Sequence, residues 1–171
     1  LEALCVTAAR AKPEGIRNWA IALARQVLAH TNEWVSLRAQ ALIIRALAQA
    51  NGSVISEDEA RDRMRAPAEK LYAAAASGRQ EAHQWFEPSL SYDNAHLPGA
   101  LIRAGDILQE PDMIAVGLDM LEGLMRIQTA SDGCFAPVAT SGFDAGADHA
   151  MFDQQPIEAL ATIDACLAAW Q

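Results

Sequence analysis

The sequence predicts an all-α fold assembled from helical hairpins, about three of them, and three observations carry that expectation. Alanine, the strongest helix former because it loses no side-chain entropy on ordering, supplies 36 of the 171 residues. Runs alternating Val, Thr or aromatic residues with polar ones, the mark of strands, are few. Apolar residues instead recur at helical spacing along most of the chain.

Each element has its own signals. A helix covers Leu1 to Arg10. The next runs from about Pro13 to His30, with Trp19, Leu23, Val27 and Leu28 on one face; Pro13 suits a first turn, where its missing N–H costs nothing. A third runs from Trp34 to about Ala50 with Leu37, Ala41, Ile44 and Ala48 in one stripe, and Asn51-Gly52 stops it. Ser56 and Glu59 form a capping box that opens a helix to about Ser77, ended by Gly78. Between Ser91 and Leu108, Pro98-Gly99 implies a helix that is kinked or starts late. Another spans Pro111 to about Gln128, carrying Ile114, Leu118, Leu121 and Met125, and a last one spans about Gln154 to Trp170. The intervening stretch from Thr129 to Phe152, rich in Gly, Asp, Ser and Ala, reads as a functional or mobile loop.

A repeat organises these helices. Tyr92-Asp93-Asn94 is followed by Pro98 and Ala100-Leu101; sixty residues on, Phe152-Asp153-Gln154 is followed by Pro156 and Ala159-Leu160. Asn32-Glu33-Trp34 is a weaker echo that also precedes a helix. One hairpin per step suggests a helical toroid or solenoid in which each pair buries its face on its neighbours. Three hairpins would make half of a six-hairpin toroid. The chain reads as a single helical domain over 1–171 and, from its abrupt ends, as part of a longer protein.

Composition narrows the function. With 51% hydrophobic types the chain is not disordered, and a formal charge of −9 argues against nucleic acid or an anionic membrane surface as partner. No apolar run approaches the roughly 20 residues that span a bilayer. Cys5, Cys134 and Cys166 are odd in number and widely spaced, as expected of reduced thiols in a cytoplasmic protein.

Two clusters bear chemistry. Trp85-Phe86-Glu87 and Tyr92-Asp93-Asn94 place aromatic, acidic and amide side chains just before a helix. Rings stack on the apolar faces of pyranoses, and carboxylates and amides bond their hydroxyls. A carboxylate pair can also supply acid–base catalysis. Equally, Trp85 and Phe86 suit a core, and Asp93 or Asn94 a helix cap. The second cluster joins Asp132-Gly133 to Phe152-Asp153-Gln154 and Glu158, where Asp132 reads as a turn residue and Asp153 as a cap. In the sharper reading Asp93 and Asp153 point into one shared mouth. His96 near Asp93, and His149 four residues before Asp153, could serve as metal ligands, but no third ligand has a convincing spacing. Asp144, Asp148 and Asp153 do not follow the calcium-loop pattern. No metal and no cofactor is expected.

The blocks Trp85-Phe86-Glu87-Pro88, Ser91-Tyr92-Asp93-Asn94-Ala95, Asp132-Gly133 and Phe152-Asp153-Gln154-Gln155-Pro156-Ile157-Glu158-Ala159 resemble those of six-hairpin (α/α) toroid proteins of carbohydrate metabolism. More narrowly, the chain resembles the helical region found with bacterial glycosyltransferases and mannoside-processing enzymes, over about half its length from Gln84 to Trp170. The resemblance implies an active-site funnel at the starts of the inner helices, with Glu87, Tyr92, Asp93, Asn94, Asp132, Asp153, Gln154 and Glu158 near its mouth.

These readings together predict a carbohydrate-processing or carbohydrate-binding domain. Glu87, Asp93 and Asp153 are the candidate catalytic carboxylates; Trp85, Phe86, Tyr92, Asn94, Asp132, Phe152, Gln154 and Glu158 are the candidate sugar contacts. Epimerisation would instead use His96 or His149 as base. A sugar or oligosaccharide is the expected ligand, and a second copy or a covalently linked glycosyltransferase domain the expected protein partner. The alternative is a non-catalytic helical scaffold, which the Ala-rich faces fit as well.

Overall fold

The computed structural model describes residues 1–78, 85–142 and 152–171; Gln84, Asp144, Asp148 and His149 lie outside them. Seven helices make up the described residues: α1 (Glu2–Arg10), α2 (Glu14–Leu28), α3 (Leu37–Ala50), α4 (Glu57–Gly78), α5 (His96–Leu108), α6 (Pro111–Ile127) and α7 (Pro156–Trp170). Among them no strand forms, only isolated bridge pairs such as Ala139 with Gln154. Among the described residues no helix is long and apolar enough to cross a membrane.

The helix boundaries follow local chemistry. The Ser36 hydroxyl accepts from the Ala39 N–H at 3.2 Å and opens α3. Ser56 does the same for the Glu59 N–H, also at 3.2 Å, and opens α4. Pro111 and Pro156 occupy the first turns of α6 and α7, where no donor is lost. The helix around Pro98 starts late: α5 begins at His96, so the proline sits in its first turn and kinks nothing. Pro67, by contrast, lies inside α4 and is buried there.

The packing has two layers. α1, α3, α5 and α7 are successive neighbours and form an inner layer. α2, α4 and α6 each pack as the returning arm of the hairpin they close, and α4 also touches α5 and α6. Small residues set the spacing. A Cβ on Gly99 of α5 would lie 3.0 Å from the Ala165 Cβ of α7. One on Gly105 would lie 2.7 Å from Ile114, and one on Gly117 2.7 Å from Ile102, so α5 and α6 approach as closely as backbones allow.

That close approach corrects two predicted faces. On α2 the buried residues are Ala20, Ala24 and Leu28, while Trp19 is 59% exposed. On α6 they are Val116, Gly117, Met120, Leu121 and Leu124, while Leu118 is 40% exposed. On α2 the small residues Ala20 and Ala24 turn inward beside Leu28; on α6 the buried face is rotated from the predicted stripe, keeping Leu121 but adding Met120 and Leu124 in place of Leu118. The stripe on α3 fares better, with Ala41 and Ile44 fully buried.

Candidate functional site

The connections between helices differ at the two ends of the stack. Segments 11–13, 51–56 and 109–110 are short turns at one end. The connections before α3, α5 and α7 are the longer ones, and their described residues, Glu87 to Asn94 among them, meet the starts of α3 and α7. Long connections held on a rigid scaffold are where binding residues concentrate.

Arg38, the second residue of α3, organises this end. Its Nη2 lies 2.6 Å from Glu87 Oε2 and donates to the Ser91 hydroxyl at 2.9 Å. Its Nη1 donates to the Tyr92 carbonyl, and its guanidinium lies 4.8 Å from the centroid of the Tyr92 ring, in cation–π range. Tyr92 nevertheless stays 55% exposed. Nothing in the sequence around Arg38 marks it as a site residue. Its partners lie 49 to 54 residues further along the chain.

Next to Tyr92, Asp93 adopts a left-handed backbone with φ 55°. Its Oδ2 pairs with His96 Nδ1 at the start of α5. Glu158, in the first turn of α7, holds this turn in place. It is 1% exposed and has no cationic partner among the described residues. Its carboxylate instead accepts from the Asp93 N–H, from the Asn94 N–H at 3.3 Å, from Asn94 Nδ2 at 3.1 Å and from Gln128 Nε2 at 3.3 Å. Asn94 Oδ1 accepts in turn from the Ser91 N–H at 3.1 Å, and the Thr162 hydroxyl donates to Gln128 Oε1 at 3.1 Å. Among the described residues, the side chains of Asn94, Gln128, Glu158 and Thr162 leave no buried polar atom without a partner, as a buried network must if it is not to cost stability.

The other candidates separate from this group. Trp85 and Phe86 are 3% and 6% exposed and pack edge to face at 5.2 Å, as core aromatics do. Gly78 makes room for them: a Cβ there would collide with the Trp85 carbonyl. Asp132 Oδ1 accepts from the Cys134 N–H at 2.9 Å beside Gly133 at φ 83°, and that backbone N–H lowers the carboxyl pKa. Phe152 is 86% exposed. Asp153 repeats the left-handed backbone of Asp93 with φ 63°, and its carbonyl accepts from the Thr140 N–H at 3.0 Å and hydroxyl at 2.9 Å. Gln154 bridges to Ala139. Among the described residues no hydrogen bond joins Asp132, Phe152, Asp153 or Gln154 to the Asp93–His96 pair.

Among the described residues, three buried polar atoms of the segment from Trp85 to His96 have no hydrogen-bond partner: Trp85 Nε1, Asp93 Oδ1 and His96 Nε2. Among the described residues no group of three or more His, Cys, Asp or Glu could hold a metal ion. No family model, curated protein or solved structure matches this chain.

Proposed function

We propose that the chain is part of an (α/α) toroid domain that binds and processes carbohydrate where α3, α5 and α7 begin. One observation carries the reading. An exposed tyrosine, an Arg–Glu ion pair and an Asp–His pair converge there from three elements. Tyr92 supplies a ring for stacking, and Arg38 with Glu87 supplies charged donors and acceptors for hydroxyls. The two-layer hairpin stack and the recurrence of a left-handed Asp sixty residues apart support the toroid.

Proton transfer is the chemistry this group favours. Asp93 occupies His96 Nδ1 and orients the ring, which leaves Nε2 as the atom that takes a proton. Hydrolysis needs two carboxyl groups flanking one bond. Here Glu87 is engaged by Arg38 and Asp93 by His96, so epimerisation or isomerisation of a sugar fits better. A cytoplasmic location agrees with three free thiols.

The test is a titration of the chain with nucleotide sugars and manno-oligosaccharides, beside Glu87→Gln, Asp93→Asn, Asp153→Asn and His96→Gln. Binding that perturbs Tyr92 and weakens in Glu87→Gln is expected. Chemical turnover, where it occurs, is expected to vanish in His96→Gln and survive in Asp153→Asn. Absence of binding by every sugar sinks the reading.

A non-catalytic interaction module is the second reading, and one helix favours it. Ile157, Leu160, Ile163, Leu167 and Trp170 are all exposed on α7, while its two carboxylates, Glu158 and Asp164, are engaged inside the stack. A second copy could meet that face without opposing charges, and sedimentation at rising concentration tests it. A covalently linked glycosyltransferase domain is the other occupant proposed for this face.

A further inference from the structure

We infer that a second copy of this chain covers the outer side of α7, with the two α7 helices running antiparallel. The inference deepens the interaction reading of α7 and rests on it, not on the carbohydrate reading.

α7 is built inside out. A surface helix turns its polar residues to solvent, and a helix that is apolar on its outer side belongs to a buried setting. The polar side chains of α7 all bond within the stack: Glu158 to Asn94 and Gln128, Thr162 to Gln128, and Asp164 to Arg103. Every exposed residue from Pro156 to Trp170 is aliphatic, aromatic, proline or cysteine. Leu160 is 64% and Trp170 89% exposed. With Ile157, Ile163 and Leu167 they expose about 600 Å² of side chain. Monomers rarely leave an apolar patch that large in water. It is most of the roughly 800 Å² that each partner of a standard dimer buries.

The spacing selects the occupant. Leu160, Ile163, Leu167 and Trp170 follow at steps of 3, 4 and 3 residues, the seam on which two helices pair. Those steps read the same in both directions. An inverted copy therefore sets Leu160 opposite the partner's Trp170 and Ile163 opposite the partner's Leu167, and each contact occurs twice. A two-fold dimer requires that reciprocity. Opposing the largest residue to a smaller one also keeps the helix axes evenly spaced, whereas a parallel pair would wedge them apart at Trp170.

The flanks carry no device for choosing another partner. Charged residues beside such a seam set partner and orientation. Here Ala159 and Cys166 are uncharged, and Asp164 is held by Arg45 and Arg103. A helix lying on a membrane would carry Lys or Arg along its polar side, and α7 has neither.

The test is sedimentation velocity of the whole chain at rising concentration, with circular dichroism as the check on folding. The chain is expected to pass from one copy to two. Leu160→Lys and Trp170→Glu, both at exposed positions, are each expected to stay folded and to weaken self-association by at least about a hundredfold, as an unpaired charge in an apolar seam does. The double variant is expected to regain the dimer, because an antiparallel pair brings each lysine opposite a glutamate. A dimer in the parent with none in the double variant overturns the antiparallel register and leaves the interaction reading standing. Association that persists unchanged in both single variants overturns the inference by placing the contact elsewhere. A monomer at every concentration, or one that binds phosphatidylcholine vesicles through Leu160, overturns the second copy as occupant.

Discussion

Arg45 of α3 lies 3.4 Å from Asp164 of α7, although α5 stands between those helices in the inner layer. The same carboxylate pairs with Arg103 of α5 at 2.9 Å, and Arg45 also pairs with Glu2 of α1 at 2.9 Å. One chain of ion pairs thus connects all four inner helices. For helices two places apart to share a carboxylate, the inner layer must curve, with these side chains on its concave side. The segment from Glu87 to Asn94 then bonds Arg38 at the start of α3 and Glu158 at the start of α7.

Removing the hub of that network is expected to be costly. Asp164→Ala leaves two guanidinium groups, 15% and 23% exposed, without their shared anion. Residual solvent contact moderates the penalty of breaking a fully buried pair to about 2 kcal/mol. Urea unfolding should show a lower midpoint with an unchanged slope. An Asp164→Ala variant as stable as the parent would mean that the network does not brace the inner layer.

Glycines on α5 and α6 should respond to alanine with opposite signs. Alanine at Gly105 or Gly117 meets a backbone nitrogen of the facing helix at 2.9 or 3.1 Å, and overpacking of that kind costs about 2 kcal/mol. Gly123, also within α6, has nothing within 4 Å of its would-be Cβ, so Gly123→Ala gains helix propensity, about 0.5–1 kcal/mol. Thermal unfolding of the three variants separates the cases, and a stabilised Gly117→Ala would refute the close packing.

The same close packing explains what the sequence showed and what it hid. Helix positions were legible because alanine content and capping are local signals; Ser56 and the prolines at 111 and 156 act where they stand. The buried faces of α2 and α6 were less legible. Hydrophobic periodicity weights large residues, yet on α2 Ala20 and Ala24 are buried while Trp19 stays outside, and on α6 Gly117 is buried among Met120, Leu121 and Leu124 while Leu118 stays outside. At the site, the pairing of Asp93 with His96 is a three-residue spacing open to inspection. Arg38 is not, since its role exists only once α3 and the segment before α5 have been brought together.

Thiol labelling should distinguish the three cysteines. Cys5 is fully buried, and burial raises its pKa above the ordinary thiol value, so it offers little thiolate for reaction. Cys134 and Cys166 are exposed. A disulfide reagent at neutral pH is expected to modify both within the time that Cys5 stays intact, with Cys5 following only on unfolding. Mass spectrometry of the labelled chain checks this, and early labelling at Cys5 would show that α1 does not stay docked.

Asp93 and Asp153 share a backbone conformation but not a job, and glycine at each should reveal the difference. A left-handed φ costs an L-residue roughly 1 kcal/mol, which glycine avoids. Asp153 makes no side-chain hydrogen bond among the described residues; its carbonyl, which Thr140 binds, survives substitution. Asp153→Gly should therefore be neutral or stabilising by up to about 1 kcal/mol. Asp93→Gly gains the same relief but strips His96 of the carboxylate on Nδ1, leaving a part-buried imidazole with neither nitrogen paired. The lost bond, about 1.5–3 kcal/mol for a charged acceptor, outweighs the relief, so this variant should be destabilised. A second readout is the 15N chemical shift of His96 Nδ1, which should change in Asp93→Gly and stay put in Asp153→Gly. If both variants moved stability by the same amount and left that shift untouched, Asp93 would be a repeat-wide turn residue only.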